Sequence, residues 1–223
     1  MLLVVSLAFV LAAGAALGQG DSFRDLLDKA KAGDAAAQVA VAKKYDNGDG
    51  VPENTDQAAF WFRKAADQGN ADAQNSLGVA YRLGRGVEKD PKEAMKWFLL
   101  AARQKNPSSL FNIGAAYYNG DGVAINDELA YGWFYLAKEA GSAPAVEALS
   151  HMGKEISYEE REGAEVAVAA MLLKGDQIGR QPQLAMEIYE RLSESGSAVA
   201  KVRIARAYMS GAGGVVDESK AEK

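Results

Sequence analysis

The stretch GNADAQNSLGVAYRLGRGVEKDPKEAMKWFLLAARQ, Gly69 to Gln104, decides how the chain is read. It is the cleanest copy of a unit that recurs every 36 residues: Trp61, Trp97 and Trp133 keep that step, as do Tyr45, Tyr81 and Tyr117. Gly48, Gly84 and Gly120 follow it, and so do the series from Gly50 and Val51. A fixed period of this length marks a stacked repeat array.

Each unit reads as two helices. In the second, Ala94, Trp97, Phe98, Ala101 and Ala102 fall at i, i+3, i+4, i+7 and i+8, one apolar stripe. Asp90 suits its N-cap, and Pro91 sits at the first helical position, where a missing N–H costs nothing. In the first helix the stripe is Ala73, Leu77, Gly78 and Tyr81, with Asn70 as cap and Gly84 as the left-handed stop. Ala73, Ala94, Ala101 and Gly78 keep side chains small where the axes meet.

The pattern G-x-A-x-A-Q-x-x-L-G-x-x-Y-x-x-G-x-G-V-x-x-D-x-x-x-A-x-x-W-x-x-x-A-A, as it stands from Gly69 to Ala102, resembles the Sel-one-like repeat family, a cousin of the tetratricopeptide repeat. Three good copies run from Gly33 to about Ala140, and two weaker ones cover much of the remaining chain. The resemblance implies an all-α, right-handed α/α solenoid of antiparallel helix pairs that acts as an adaptor between other proteins. Some exported relatives staple each repeat with a cysteine pair; this chain has no cysteine.

Composition narrows the function. With 25 basic and 30 acidic residues among 223, the net charge of −5 argues against a nucleic-acid partner, which would want a basic face. The absence of cysteine excludes disulfides, thiolate metal sites and a cysteine nucleophile.

Residues 1–18, MLLVVSLAFVLAAGAALG, read as a cleaved secretory signal: apolar, too short for a comfortable span, with small residues suited to a peptidase. An uncleaved anchor or a core helix is the alternative. Cleavage between Ala16 and Gln19 would leave a periplasmic or secreted protein with no stable membrane span. Residues 20–140 then hold a capping helix, Phe23 to Ala32, and three repeats. Asn54, Asn106 and Asn126 serve as N-caps there. Residues 141–163 read as an inserted helix and loop that should bend or offset the solenoid, with Ser157 and Glu160 forming a capping box. Residues 164–223 carry two divergent repeats in which Pro182, Ala185, Ile188 and Tyr189 match Pro91, Ala94, Trp97 and Phe98. The last copy has room for under two turns of its second helix from Asp217, so the sequence is expected to be a fragment or to leave its final pair open.

No constellation for chemistry stands out. His151 is the only histidine, and a relay or metal site needs convergent partners. Glu159, Glu160, Glu162 and Glu165 sit in the first turns of a helix, where the dipole favours acids. Asp46-Asn47-Gly48-Asp49-Gly50 hints at a calcium loop, but its twelfth position is Gln57 rather than glutamate. No catalytic residue, metal or cofactor is expected, and an envelope hydrolase acting on cell-wall or β-lactam substrates is the runner-up to the scaffold.

The Trp, Tyr and Gly markers are read as structural. Partner-binding residues should instead vary from copy to copy. By analogy with tetratricopeptide repeats, the first helices line a concave face, and the registers off the stripe supply Lys43, Asp46, Asn75, Val79, Arg82, Phe111 and Tyr118 as candidates. In the last copy these registers hold Val199, Val202, Arg206 and Met209. The expected partner is a protein or peptide with an apolar anchor and an acidic residue, gripped by Phe111 and Tyr118. The alternative at this point is that the two aromatics are core.

Overall fold

The computed structural model describes residues 22–152, 157–174, 180 and 182–211, and these form helices and no strand. The leader expected over residues 1–18, the glycine turn at 212–214 and the helix expected from Asp217 lie outside the described residues.

A single helix, α1 (Phe23–Lys31), precedes three pairs: α2 (Ala35–Asn47) with α3 (Thr55–Asp67), α4 (Ala71–Leu83) with α5 (Pro91–Ala102), and α6 (Pro107–Asn119) with α7 (Asp127–Glu139). Each helix starts where a side chain satisfies the orphan amides of its first turn. Asn70 Oδ1 accepts from Ala73 N at 3.0 Å, Asp90 Oδ1 from Glu93 N at 3.0 Å, and Asn54, Asn106 and Asn126 cap α3, α6 and α7 in the same way. Gly48, Gly84 and Gly120 end the first helices in the left-handed conformation.

Two backbone bonds recur with the period and fix the pair geometry. The amide of each second-helix cap donates to the carbonyl of the marker tyrosine: Asn54 to Tyr45 at 2.8 Å, Asp90 to Tyr81 at 2.9 Å, Asn126 to Tyr117 at 3.0 Å. The next first-helix cap donates back five residues, Asn70 to Ala65 at 3.1 Å and Asn106 to Ala101 at 3.2 Å. Within a pair the axes approach closely because the register of Gly78 lacks a side chain. A Cβ there would lie 2.6 Å from the Phe98 ring, and one at Gly114 2.7 Å from Phe134.

The second helices are buried on more than the expected stripe. Met95 and Leu99 are buried beside Ala94, Phe98, Ala101 and Ala102, because each second helix is pressed between its own partner and the first helix of the next pair. The marker tryptophans follow their neighbours. Trp133 is 0% exposed, Trp61 is buried, and Trp97 is half-buried beneath the Arg63 guanidinium, 5.5 Å above its ring.

After Gly141 the extra helix α8 (Ala143–Met152) appears, followed by α9 (Tyr158–Lys174), α10 (Pro182–Glu194) and α11 (Ala198–Met209). The capping box forms as expected. Ser157 N donates to Glu160 Oε2 at 2.6 Å, Glu160 N donates to Ser157 Oγ at 3.3 Å, and the hydrogen bonds from Ser157 hold the Glu160 carboxyl below its ordinary pKa. Both α8 and α9 pack on α7, and α9 passes over it at Gly132. Repeats one and two carry Phe60 and Lys96 at that register, both exposed. A Cβ on Gly132 would lie 2.5 Å from Val168 and 2.8 Å from the Ala164 carbonyl oxygen, so glycine is what admits the crossing.

Candidate functional site

The registers expected to face a partner divide into three kinds of position. The first packs. Val39 is buried; Asn75, one repeat on, accepts from Ser109 Oγ and Asn112 Nδ2, both at 3.0 Å, and so ties repeat two to repeat three. Phe111, the next in register, is half-buried with its ring centroid 5.2 Å from that of Phe134. Of the two aromatics expected side by side in a groove, therefore, Phe111 lies against the core of its own repeat. Only Tyr118, 51% exposed, is open to solvent. The cause is the small Gly114 one turn on, which brings α7 close enough for Phe134 to reach Phe111.

The second kind lies at a cleft. Asp46, Asn75 and Val79 come together around a cavity of about 120 Å³ between repeats one and two. Arg85 crosses it: Nη2 lies 3.1 Å from Asp46 Oδ1, 3.3 Å from Glu53 Oε1 and 3.3 Å from the Asp46 carbonyl oxygen. Asp46 is thus held by an inter-repeat ion pair rather than left free. Sequence reading missed Arg85. Its signal was a lone cation between Gly84 and Gly86, in a turn where the other two copies carry Asp49 and Asp121.

The third kind is exposed. Lys43 and Tyr118 point outward on α2 and α6, and Val199, Val202, Arg206 and Met209 do so on α11. Arg82 is half-buried, and its Nε is buried without an acceptor. The candidates that remain open are therefore dissimilar side chains on three first helices, cationic at Lys43 of α2, phenolic at Tyr118 of α6 and aliphatic at Val199, Val202 and Met209 of α11.

The titratable groups of the insertion are placed apart from these positions. His151 is exposed, with Nε2 4.0 Å from Glu147 Oε1. Of the acids of α9, Glu159 and Glu160 are exposed, Glu162 is half-buried and accepts from Ser197 Oγ at 2.5 Å, and the most enclosed is Glu165. It is 5% exposed, paired with Arg191 of α10, and burial raises its carboxyl pKa against the lowering effect of that guanidinium. Among the described residues no group of three metal-ligating side chains converges, and no helix is long and apolar enough to cross a membrane.

Comparison with known proteins places this geometry. The Sel1 repeat family model matches residues 35–70, 71–106, 107–142, 163–197 and 198–223. The chain is similar to the crystal structure of a Sel1 repeat protein from Oxalobacter formigenes, at 26% identity and a TM-score of 0.52, covering 86% of this chain and 85% of that one. It is also similar to c5321, a protective antigen of uropathogenic Escherichia coli with an SLR fold, at 26% identity and a TM-score of 0.48 over 91% of this chain and 55% of that one. A third likeness is to cysteine-rich protein B of Helicobacter pylori, at 21% identity and a TM-score of 0.48 over 59% of this chain and 100% of that one. No curated protein matches the chain.

Proposed function

Because the chain belongs to the Sel1 repeat family, whose members generally act in protein–protein interaction, we propose that it is an exported scaffold that binds a protein or peptide along its first helices. The apolar run of residues 1–18 supports export, which would put the scaffold in the periplasm or at the cell surface. There it would hold or tune an envelope complex. The observation that carries the binding reading is a contrast between registers. The Trp, Tyr and Gly markers that shape the pairs keep their identity in the first three copies, whereas the open positions Lys43 and Tyr118, and Val199 and Met209 of the last copy, differ from their counterparts in the other copies. A surface serving only solubility has no need of an exposed tyrosine on one first helix and exposed valines and a methionine on another, and such solenoids bind along extended faces.

The test is capture from an envelope extract on immobilised protein, comparing the parent with Tyr118→Ala and with Lys43→Glu. Both side chains are exposed, so melting temperature should hold while a captured partner is lost. A partner retained by both variants would place binding elsewhere. Export is tested separately, by mass spectrometry of the extracellular or periplasmic form; the expected N-terminus lies between Ala16 and Gln19, and an intact Met1 in the soluble cytoplasm would refute it.

A further inference from the structure

Three of the registers at which repeat three departs from repeats one and two meet in space. Gly33 and Gly69 are followed in register by Lys105, Gln38 and Gln74 by Leu110, and Gln68 and Gln104 by Ala140. In the first two repeats the glutamines form a polar clamp. Gln68 Nε2 donates to Gln38 Oε1 at 2.7 Å, and Gln104 Nε2 to Gln74 Oε1 at 3.0 Å. Gln38 and Gln74 in turn donate to the carbonyls of Ala30 and Ala66, at 3.0 and 3.2 Å. In the third repeat nothing of this clamp survives. Leu110 and Ala140, with Leu136, instead line a cavity of about 390 Å³ whose other wall is Leu184 and Ile188 of α10.

Lys105 marks the same place. Its φ is +57°, where Gly33, Gly69 and Gly141 stand at +103°, +90° and +93°. A residue with a Cβ is strained in this conformation, and such strain persists where the side chain is needed. Here the ammonium reaches Glu187 of α10 at 2.6 Å, beside the cavity.

The charged groups lining the cavity are all spoken for. Lys105 pairs with Glu187, Arg191 with the buried Glu165, and Glu139 lies 3.7 Å from Lys138. An ionic ligand would find no uncompensated counter-charge, while an apolar one finds six aliphatic side chains, Ala102 completing the wall. The volume falls within the range of small-molecule sites, about 300–1,000 Å³.

We propose that this cavity is a binding site for a small, uncharged, predominantly apolar molecule of about the bulk of two or three fused or linked rings. It is distinct from the exposed positions on the first helices and does not depend on a protein partner.

The probe is N-phenyl-1-naphthylamine, which is neutral and fluoresces on leaving water. The key variant is Leu110→Gln with Ala140→Gln, which writes the clamp of repeats one and two into repeat three, using side chains this chain already accommodates at those registers. Leu184→Gln is a second variant, changing only the α10 wall, and circular dichroism checks that each is folded. The parent should bind one probe per chain saturably, and each folded variant should lose about tenfold or more in affinity. An anionic anilinonaphthalene sulfonate should bind the parent more weakly by a similar factor. Saturable binding absent from the parent, affinity unchanged in the folded variants, or binding removed instead by Val202→Lys on the exposed face of α11 would each overturn the proposal.

Discussion

Gly50 and Gly86 occupy one register and nearly one conformation, with φ at +74° and +67°, yet they meet different surroundings. A Cβ on Gly50 finds nothing within 4 Å, whereas one on Gly86 would lie 2.0 Å from the carbonyl oxygen of Thr55 in the preceding repeat. Gly50→Ala should therefore cost only the left-handed conformation, about 1 kcal/mol. Gly86→Ala adds a collision with backbone that cannot rotate away, and about 2–4 kcal/mol is expected. Urea denaturation of the two variants isolates the inter-repeat contact, and equal losses would show that it contributes nothing. Glu165 makes a second case at this scale. Burial raises its pKa above the ordinary 4.5, so the folded chain holds that proton more tightly than the unfolded one. The stability due to this preference is complete below pH 4.5 and is lost as pH rises through the folded value. The stability of the parent relative to Glu165→Gln should thus grow as pH falls through that window and level off beneath it. A flat difference, read from denaturant midpoints across the pH range, would mean the folded carboxyl titrates normally.

At the scale of the element, most of the architecture was legible because helix boundaries are written in local chemistry. Asn54, Asn70, Asp90, Asn106 and Asn126 cap the helices they were expected to cap, and Gly84 stops α4. The extra helix Ala143–Met152 and the Ser157 box were legible for the same reason. Contacts between elements were much less so. Phe111 lies off the apolar stripe of α6, and only the approach of α7 decides that it packs on Phe134. Arg85 reaches across 39 residues to Asp46, and the glutamine clamp across 30, distances at which no helical period speaks. Gly132 is the sharpest example: in sequence a helix-weakening glycine, in the fold the point where α9 crosses α7. Replacing it by lysine, the residue repeat two carries at this register, should drive α9 off α7 and cost about 3 kcal/mol or more. Hydrogen exchange should then show protection lost over α9 and α10 while α2 to α5 keep theirs. Unchanged protection in α9 would mean the crossing is not sustained by that contact.

At the scale of the whole molecule, the apolar interior falls into two clusters. One gathers α1 to α4 around Val41, Phe62 and Leu77; the other runs from Ala94 in α5 to Ala207 in α11. Tyr81 packs against both. Arg63 of repeat one donates to its hydroxyl and places its guanidinium 5.4 Å from the Tyr81 ring and 5.5 Å from the Trp97 ring, a stack of three side chains in which Tyr81 alone reaches both clusters and which adds to the Gly78–Phe98 contact of α4 with α5. Stability in a repeat array is nearly a sum of unit terms and nearest-neighbour terms, and cooperativity is lost when a neighbour term is weakened. Tyr81→Ala removes the shared member. The ring is half-buried, so the loss should fall below the ~3–5 kcal/mol of a fully buried aromatic, at about 2 kcal/mol. The more telling consequence is in the shape of unfolding. Tyr45→Ala is the control, since Tyr45 stands at the same register, packs edge-on against Phe23 at 5.5 Å and belongs to the first cluster alone. In urea, Tyr45→Ala should lower the midpoint of one shared transition. Tyr81→Ala should split it, with exchange protection in α2 and α3 lost at a lower concentration than in α6, α7 and α10. If α2 and α10 still lose protection together in Tyr81→Ala, the two clusters are coupled through contacts other than this stack.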